Sequence, residues 1–137
     1  CPGNIAISGH QKSLALAQAA AEKGGAMKYI PLAVAGAFHT ALMEPAMERL
    51  SAAIASTPMV PAKIPIYSNV DSQPHTDPEE LKQLFPRQLV SPVLWEASLR
   101  NLLALGVDQF YEIGAGRVLA GTLKRIDRKA ACECIGE

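Results

Sequence analysis

The chain has 137 residues, 49% of them hydrophobic and 19% charged, a globular composition that excludes a disordered polyelectrolyte. Thirteen basic residues balance thirteen acidic ones, so no overall charge points to nucleic acid or to an anionic membrane surface. No apolar run approaches the roughly 20 residues that span a bilayer, and Cys1, Cys132 and Cys134, odd in number with two of them one residue apart, form no disulfide framework.

CPGN opens the chain without an initiating methionine or signal peptide, as expected of a sequence that starts inside a longer protein. NIAIS (4–8) alternates apolar residues and predicts a short strand. HQKSLALAQAAAEKGG predicts an Ala-rich helix closed by Gly24-Gly25. MKYIPLAV predicts a second strand. After His39, the spacing of Leu42, Met43, Ala46, Leu50, Ala53 and Ile54 predicts a helix to about Ser56. IYSNV (66–70) predicts a strand and DSQPHTD a polar turn, before a helix with Asp77 as N-cap and Pro78 at its first position. Pro86 and Pro92 interrupt the stretch between that helix and Trp95. WEASLRNLLALG predicts an amphipathic helix ending at Gly106, DQFYEIG a strand, GAGRVLAGTLKRI a helix and AACECIG a last strand. Strands alternating with helices imply βαβ units around a mostly parallel sheet, an α/β fold.

His39 lies at the seam between an apolar run and a helix, where α/β proteins aim catalytic side chains. Such a histidine either packs at the junction or acts as a general base toward a Ser or Cys nucleophile. No G-x-S-x-G elbow accompanies it. Ser8 and Ser68 are the serines a small hydrolase could pair with it, and neither has flanking glycines. In QLVSPVLWE (88–96), a helix end broken by Pro92 can leave Gln88 with a free carbonyl or amide facing a cleft. Gly114 and Gly116 offer a G-x-G that can cradle phosphate, but Leu119 stands where a dinucleotide fingerprint needs a third glycine. The basic run Lys124, Arg125, Arg128 and Lys129 fits a solvated helix end or an anion site. A C-x-C metal site would need further ligands, and none is near in sequence.

Five motifs in order, CPGNIAISG, GAFHTALMEPA, IPIYSNV, RQLVSPVLWE and EIGAGRVLAGTLKRI, resemble the C-terminal half of the malonyl-CoA:acyl-carrier-protein transacylase family, the acyltransferases of fatty-acid and polyketide synthesis. The resemblance covers nearly the whole chain. It implies a partial α/β-hydrolase-like acyltransferase core, residues 35–137, preceded by the later part of a ferredoxin-like small subdomain, residues 1–34. It places the family's catalytic histidine on His39 and, on Gln88, the glutamine whose main-chain carbonyl orients that ring. The nucleophilic serine, the arginine for the malonyl carboxylate and the oxyanion-hole glutamine have no match here and are expected upstream, in an N-terminal half. Asn4 stands where the family usually has Gln, and Ala115 where it usually has Pro; both positions are turns.

The implied reaction moves a malonyl group from malonyl-CoA to the phosphopantetheine thiol of acyl carrier protein by a ping-pong Ser–His mechanism. It needs no metal or bound cofactor, because coenzyme A enters with the substrate. The implied partners are acyl carrier protein, malonyl-CoA and the enzyme's own N-terminal half, with no nucleic acid and no membrane. The competing reading is an inert remnant that binds carrier protein or another subunit. Cytoplasm is the expected location, with a trimmed mitochondrial precursor as the alternative. In related loading domains an aromatic residue before the histidine accompanies malonyl and a serine accompanies methylmalonyl, which makes Phe38 the expected acyl-chain selector.

Overall fold

The computed structural model describes residues 1–136. Helix α1 (Gln11–Lys23) ends where expected: the Gly24 N–H caps the Ala20 carbonyl, and Gly25 takes φ +88°. A single 3₁₀ turn (Ala41–Met43) leads into α2 (Glu44–Ala55), which packs on α3 (Pro78–Arg87). Asp77 caps α3 as its sequence requires, with Oδ1 accepting the Glu79 N–H at 2.7 Å and the Glu80 N–H at 3.4 Å. Pro86 does not end this helix. It sits in the last turn, and the helix runs one residue further. Helix α4 (Trp95–Ala104) gives way to a turn at Gly106, whose φ is +83°.

The expected mostly parallel sheet is corrected to two separate pairs. Strands β1 (Ile66–Tyr67) and β2 (Pro74–His75) form a short antiparallel hairpin, whereas β3 (Gln109–Ile113) and β4 (Ala131–Ile135) pair in parallel across helix α5 (Val118–Ile126). That βαβ unit is the only parallel one among the described residues. Residues 4–8 and 27–34 form no strand. A strand exists through its ladder partners, and no described segment lies alongside to supply them. The IYSNV strand stops at Tyr67, because Ser68 starts a tight loop: its N–H donates to the Gln73 carbonyl at 3.1 Å and its Oγ accepts the Val70 N–H at 3.1 Å.

Leu99 of α4, Leu123 of α5 and Ala130 form the buried core, with Trp95, Leu103, Phe110, Ile126 and Cys132 packed around it. Burying one such leucine is worth roughly 1.5–3 kcal/mol. The Trp95 indole N–H donates to Thr122 Oγ1 at 2.8 Å, so the ring is buried without losing its polar partner. On the β3–β4 pair, Phe110, Glu112, Cys132 and Cys134 face the helices. At the strand ends, Gly136 lies so close to Gly114 that an added Cβ would meet the Gly114 carbonyl oxygen at 2.7 Å.

The opposite face of that pair carries Tyr111, Ile113 and Ile135, and Ile113 is 82% exposed. Parallel sheets are normally covered on both faces. Ile5 (85% exposed) and Met27 (98%) belong to the same class of uncovered apolar residue. Exposed apolar surface on this scale drives association. The chain by itself is therefore expected to bind a hydrophobic dye strongly and to sediment as dimers or larger species. A monomer with weak dye binding and a sharp cooperative melt would contradict this.

Candidate functional site

His39 is held by a turn that its neighbours build. Thr40 Oγ1 donates to the Ala37 carbonyl at 2.7 Å and accepts the Leu42 N–H at 3.3 Å, which starts the 3₁₀ turn. His39 itself has φ +66°, in the left-handed region that costs a residue with a Cβ roughly 1–2 kcal/mol. Three hydrogen bonds to one neighbouring segment hold it there. Its N–H donates to the Leu89 carbonyl at 2.8 Å, and its Nδ1 lies 2.7 Å from the Gln88 carbonyl and 3.2 Å from that of Ser91. Carbonyl oxygens only accept, so Nδ1 carries the proton and, in the neutral ring, Nε2 bears the lone pair. Nε2 has no hydrogen-bond partner among the described residues, and His39 is exposed.

Those carbonyls are available for a local reason. Helix α3 ends at Arg87, and the last carbonyls of a helix have no partner within it. Pro92 has no N–H to offer and disfavours helical continuation at Ser91. The site therefore brings together His39 and Gln88 and adds Ser91, which sequence reasoning missed. Phe38 adjoins His39 in sequence, is 40% exposed, and lays its ring over Gly36, where an added Cβ would sit 3.6 Å from Cε2. Neither alternative serine joins His39 by a hydrogen bond among the described residues: Ser8 is exposed, and the buried Ser68 is engaged in its own loop.

The G-x-G stretch turns out to carry its own anion. Glu112 of β3 reaches the N-terminus of α5, its oxygens accepting the Leu119 N–H at 3.0 Å and the Ala120 N–H at 2.8 Å. The Ala120 and then the Leu119 N–H hold this carboxyl below the usual glutamate range. A carboxylate there satisfies the amides a phosphate would need. The basic run is partly structural, because Lys124 Nζ donates to the Ala130 carbonyl at 2.6 Å and closes the α5–β4 loop.

The polar turn after β1 holds a cluster the sequence did not reveal. His75 Nδ1 lies 3.0 Å from Glu80 Oε2, and its Nε2 lies 3.1 Å from Asp71 Oδ2. Glu80, ahead of the opposing effect of burial and the further help of Asp71, raises the His75 pKa. Burial works to raise the Asp71 pKa, but the Gln73 N–H and His75 together hold it below the ordinary aspartate value. A raised histidine contributes stability that is complete below its unfolded value and lost as pH rises through the folded one. A lowered aspartate contributes stability present above its unfolded value and lost as pH falls through the folded one. The bridge is thus strongest in mildly acidic solution. His75→Gln is expected to cost roughly 0.2–1 kcal/mol there and progressively less above neutral pH, as read from melting temperature against pH. A pH-independent difference between the two proteins would count against the bridge.

No protein-family model matches the chain. It is 42% identical over 129 residues to the malonyl CoA-acyl carrier protein transacylase of Bacillus subtilis (strain 168), covering 94% of this chain and 41% of the relative. It is 44% identical over 131 residues to the Staphylococcus aureus (strain COL) protein of the same name, covering 93% of this chain and 42% of the relative. The chain thus spans about two-fifths of the length of the curated relatives it matches. The solved acyl carrier protein S-malonyltransferase of Vibrio cholerae superposes with a TM-score of 0.88 at 34% identity, over 93% of this chain and 42% of that one. A malonyl-transacylase in complex with its type II PKS acyl-carrier protein superposes with a TM-score of 0.89 at 32% identity, over 93% of this chain and 41% of that one.

Proposed function

We propose that this chain, whose sequence and fold are shared with the malonyl CoA-acyl carrier protein transacylases over about two-fifths of their length, supplies the histidine half of an acyltransferase site. The substrate is malonyl-CoA and the acceptor is the phosphopantetheine thiol of acyl carrier protein. In this reading residues 1–34 belong to a small subdomain and residues 35–137 to an α/β core completed by a segment that bears the serine nucleophile.

One observation carries the proposal: the imidazole Nδ1 of His39 facing the Gln88 and Ser91 carbonyls, with Nε2 exposed. Nε2 takes the proton from the serine hydroxyl as its oxygen attacks the malonyl thioester. The resulting imidazolium keeps its Nδ1–H on the carbonyls and returns the other proton to the departing coenzyme A sulfur. A malonyl ester of the enzyme remains. The carrier-protein thiol then attacks that ester, with Nε2 accepting its proton and passing it back to the serine oxygen. No carboxylate is needed behind the ring, since a carbonyl fixes the tautomer equally well. The experiment is replacement of His39 in the complete polypeptide: malonyl transfer should collapse, and near-normal transfer would end the reading.

Among the described residues, no helix is long and apolar enough to cross a membrane. The reaction as proposed uses thioester substrates delivered from solution and a carrier protein that docks at the surface.

A further inference from the structure

We propose that Asn69 is a positioning residue for His39, an inference that rests on the reading of His39 as the base. Every hydrogen bond that holds His39 in place ends on the segment 88–91. That segment has no regular structure to stiffen it, and Pro92 interrupts its supply of N–H donors. Asn69, just beyond β1, holds the stretch at both ends. Its backbone carbonyl accepts the Leu94 N–H at 2.8 Å, and its side-chain Nδ2 donates to Gln88 Oε1 at 3.5 Å.

The two contacts make different demands on residue 69. Any residue could supply the backbone carbonyl. Only a short side chain with a donor can reach the Gln88 amide, and a carboxamide facing a carboxamide is complementary. Behind the pair lies a cleft of about 170 Å³ lined by Tyr67, Ser68, Asn69, Phe85 and Gln88. Without the amide contact, the Gln88 side chain is free to swing into that space and its peptide to turn with it. The 2.7 Å bond to His39 Nδ1 then lengthens. The ring loses the feature that selects its tautomer, and Nε2 is no longer the sole unprotonated nitrogen.

The test uses Asn69→Ala, Gln88→Ala and the double variant in the complete transacylase, with His39→Ala as reference. Asn69→Ala should lower kcat by roughly 10- to 100-fold, the scale of a misplaced reacting group, with KM for malonyl-CoA nearly unchanged. The double variant should be no slower than Asn69→Ala alone, because both substitutions remove one contact. The spectroscopic readout is the ring nitrogens of His39 by long-range ¹H–¹⁵N correlation. The neutral ring should show a single Nδ1–H tautomer in the wild type and an averaged pair in Asn69→Ala. A lower melting temperature with the single tautomer retained would overturn the proposal, since that is a purely structural effect. An averaged ring would uphold it even if His39→Ala proved active, and that second result would overturn only the assignment of His39 as base.

Discussion

His39→Ala in the complete enzyme is expected to lower the rate of malonyl transfer on the order of 10² to 10⁴, the range for loss of a general base. Both half-reactions should slow, because the same nitrogen accepts a proton from serine in the first and from the carrier thiol in the second. Alanine raises a difficulty of its own at this position. The backbone φ of +66° penalises any residue with a Cβ, so the variant could fail through a relaxed turn and not through lost chemistry. His39→Asn separates the two effects. Asparagine tolerates the left-handed region better than most residues, and its amide can still donate to the Gln88 carbonyl. It has no basic nitrogen. Both variants should therefore lose transfer to a similar degree. Recovery of activity in His39→Asn would show that the turn, and not the base, was what alanine destroyed.

The features legible in the sequence are those that short-range chemistry decides. Asp77 followed by Pro78 announces the start of α3, and both residues perform there as their types require. Gly106 marks the end of α4, and the alternation in DQFYEIG and AACECIG foretells the parallel pair β3–β4. The apolar segments 4–8 and 27–34 look equally strand-like, yet a strand is made by its neighbours, and the described residues include none beside them. The site divides along the same line. His39 stands out by position, while its link to Gln88 is implied by family resemblance and not by spacing, since 49 residues separate them. Ser91 as a second carbonyl could have been suspected from Pro92, which turns the preceding residue away from helix. Glu112 could have been found too, because an acidic residue just ahead of a glycine-rich helix start competes for the amides a phosphate would use. The His75 cluster is hidden by chain reversal, which brings Asp71 and Glu80 to opposite ring nitrogens.

Phe38→Ser in the complete enzyme is expected to narrow the preference for malonyl-CoA over methylmalonyl-CoA. The two acyl groups differ by one methyl on the α-carbon. A pocket separates substrates that differ so little by roughly 1–3 kcal/mol, or 10–200-fold in kcat/KM. Phe38 precedes His39 directly, and at 40% exposure its ring is neither locked in the core nor free in solvent. It rests on Gly36, beside Met43, whose Sδ lies 3.5 Å from where a Gly36 Cβ would be. A ring held at the edge of the base takes up volume next to the carbon where the extra methyl would go, and serine returns that volume. The change should therefore act mainly on the larger substrate, raising its kcat/KM while malonyl transfer changes little. Since Phe38 lies outside the Leu99–Leu123 core, stability should hardly move and activity remain measurable. The decisive quantity is the ratio of kcat/KM for the two thioesters in wild type and variant. An unchanged ratio in a folded, active Phe38→Ser enzyme would assign the ring to packing at the turn and leave selectivity to residues elsewhere.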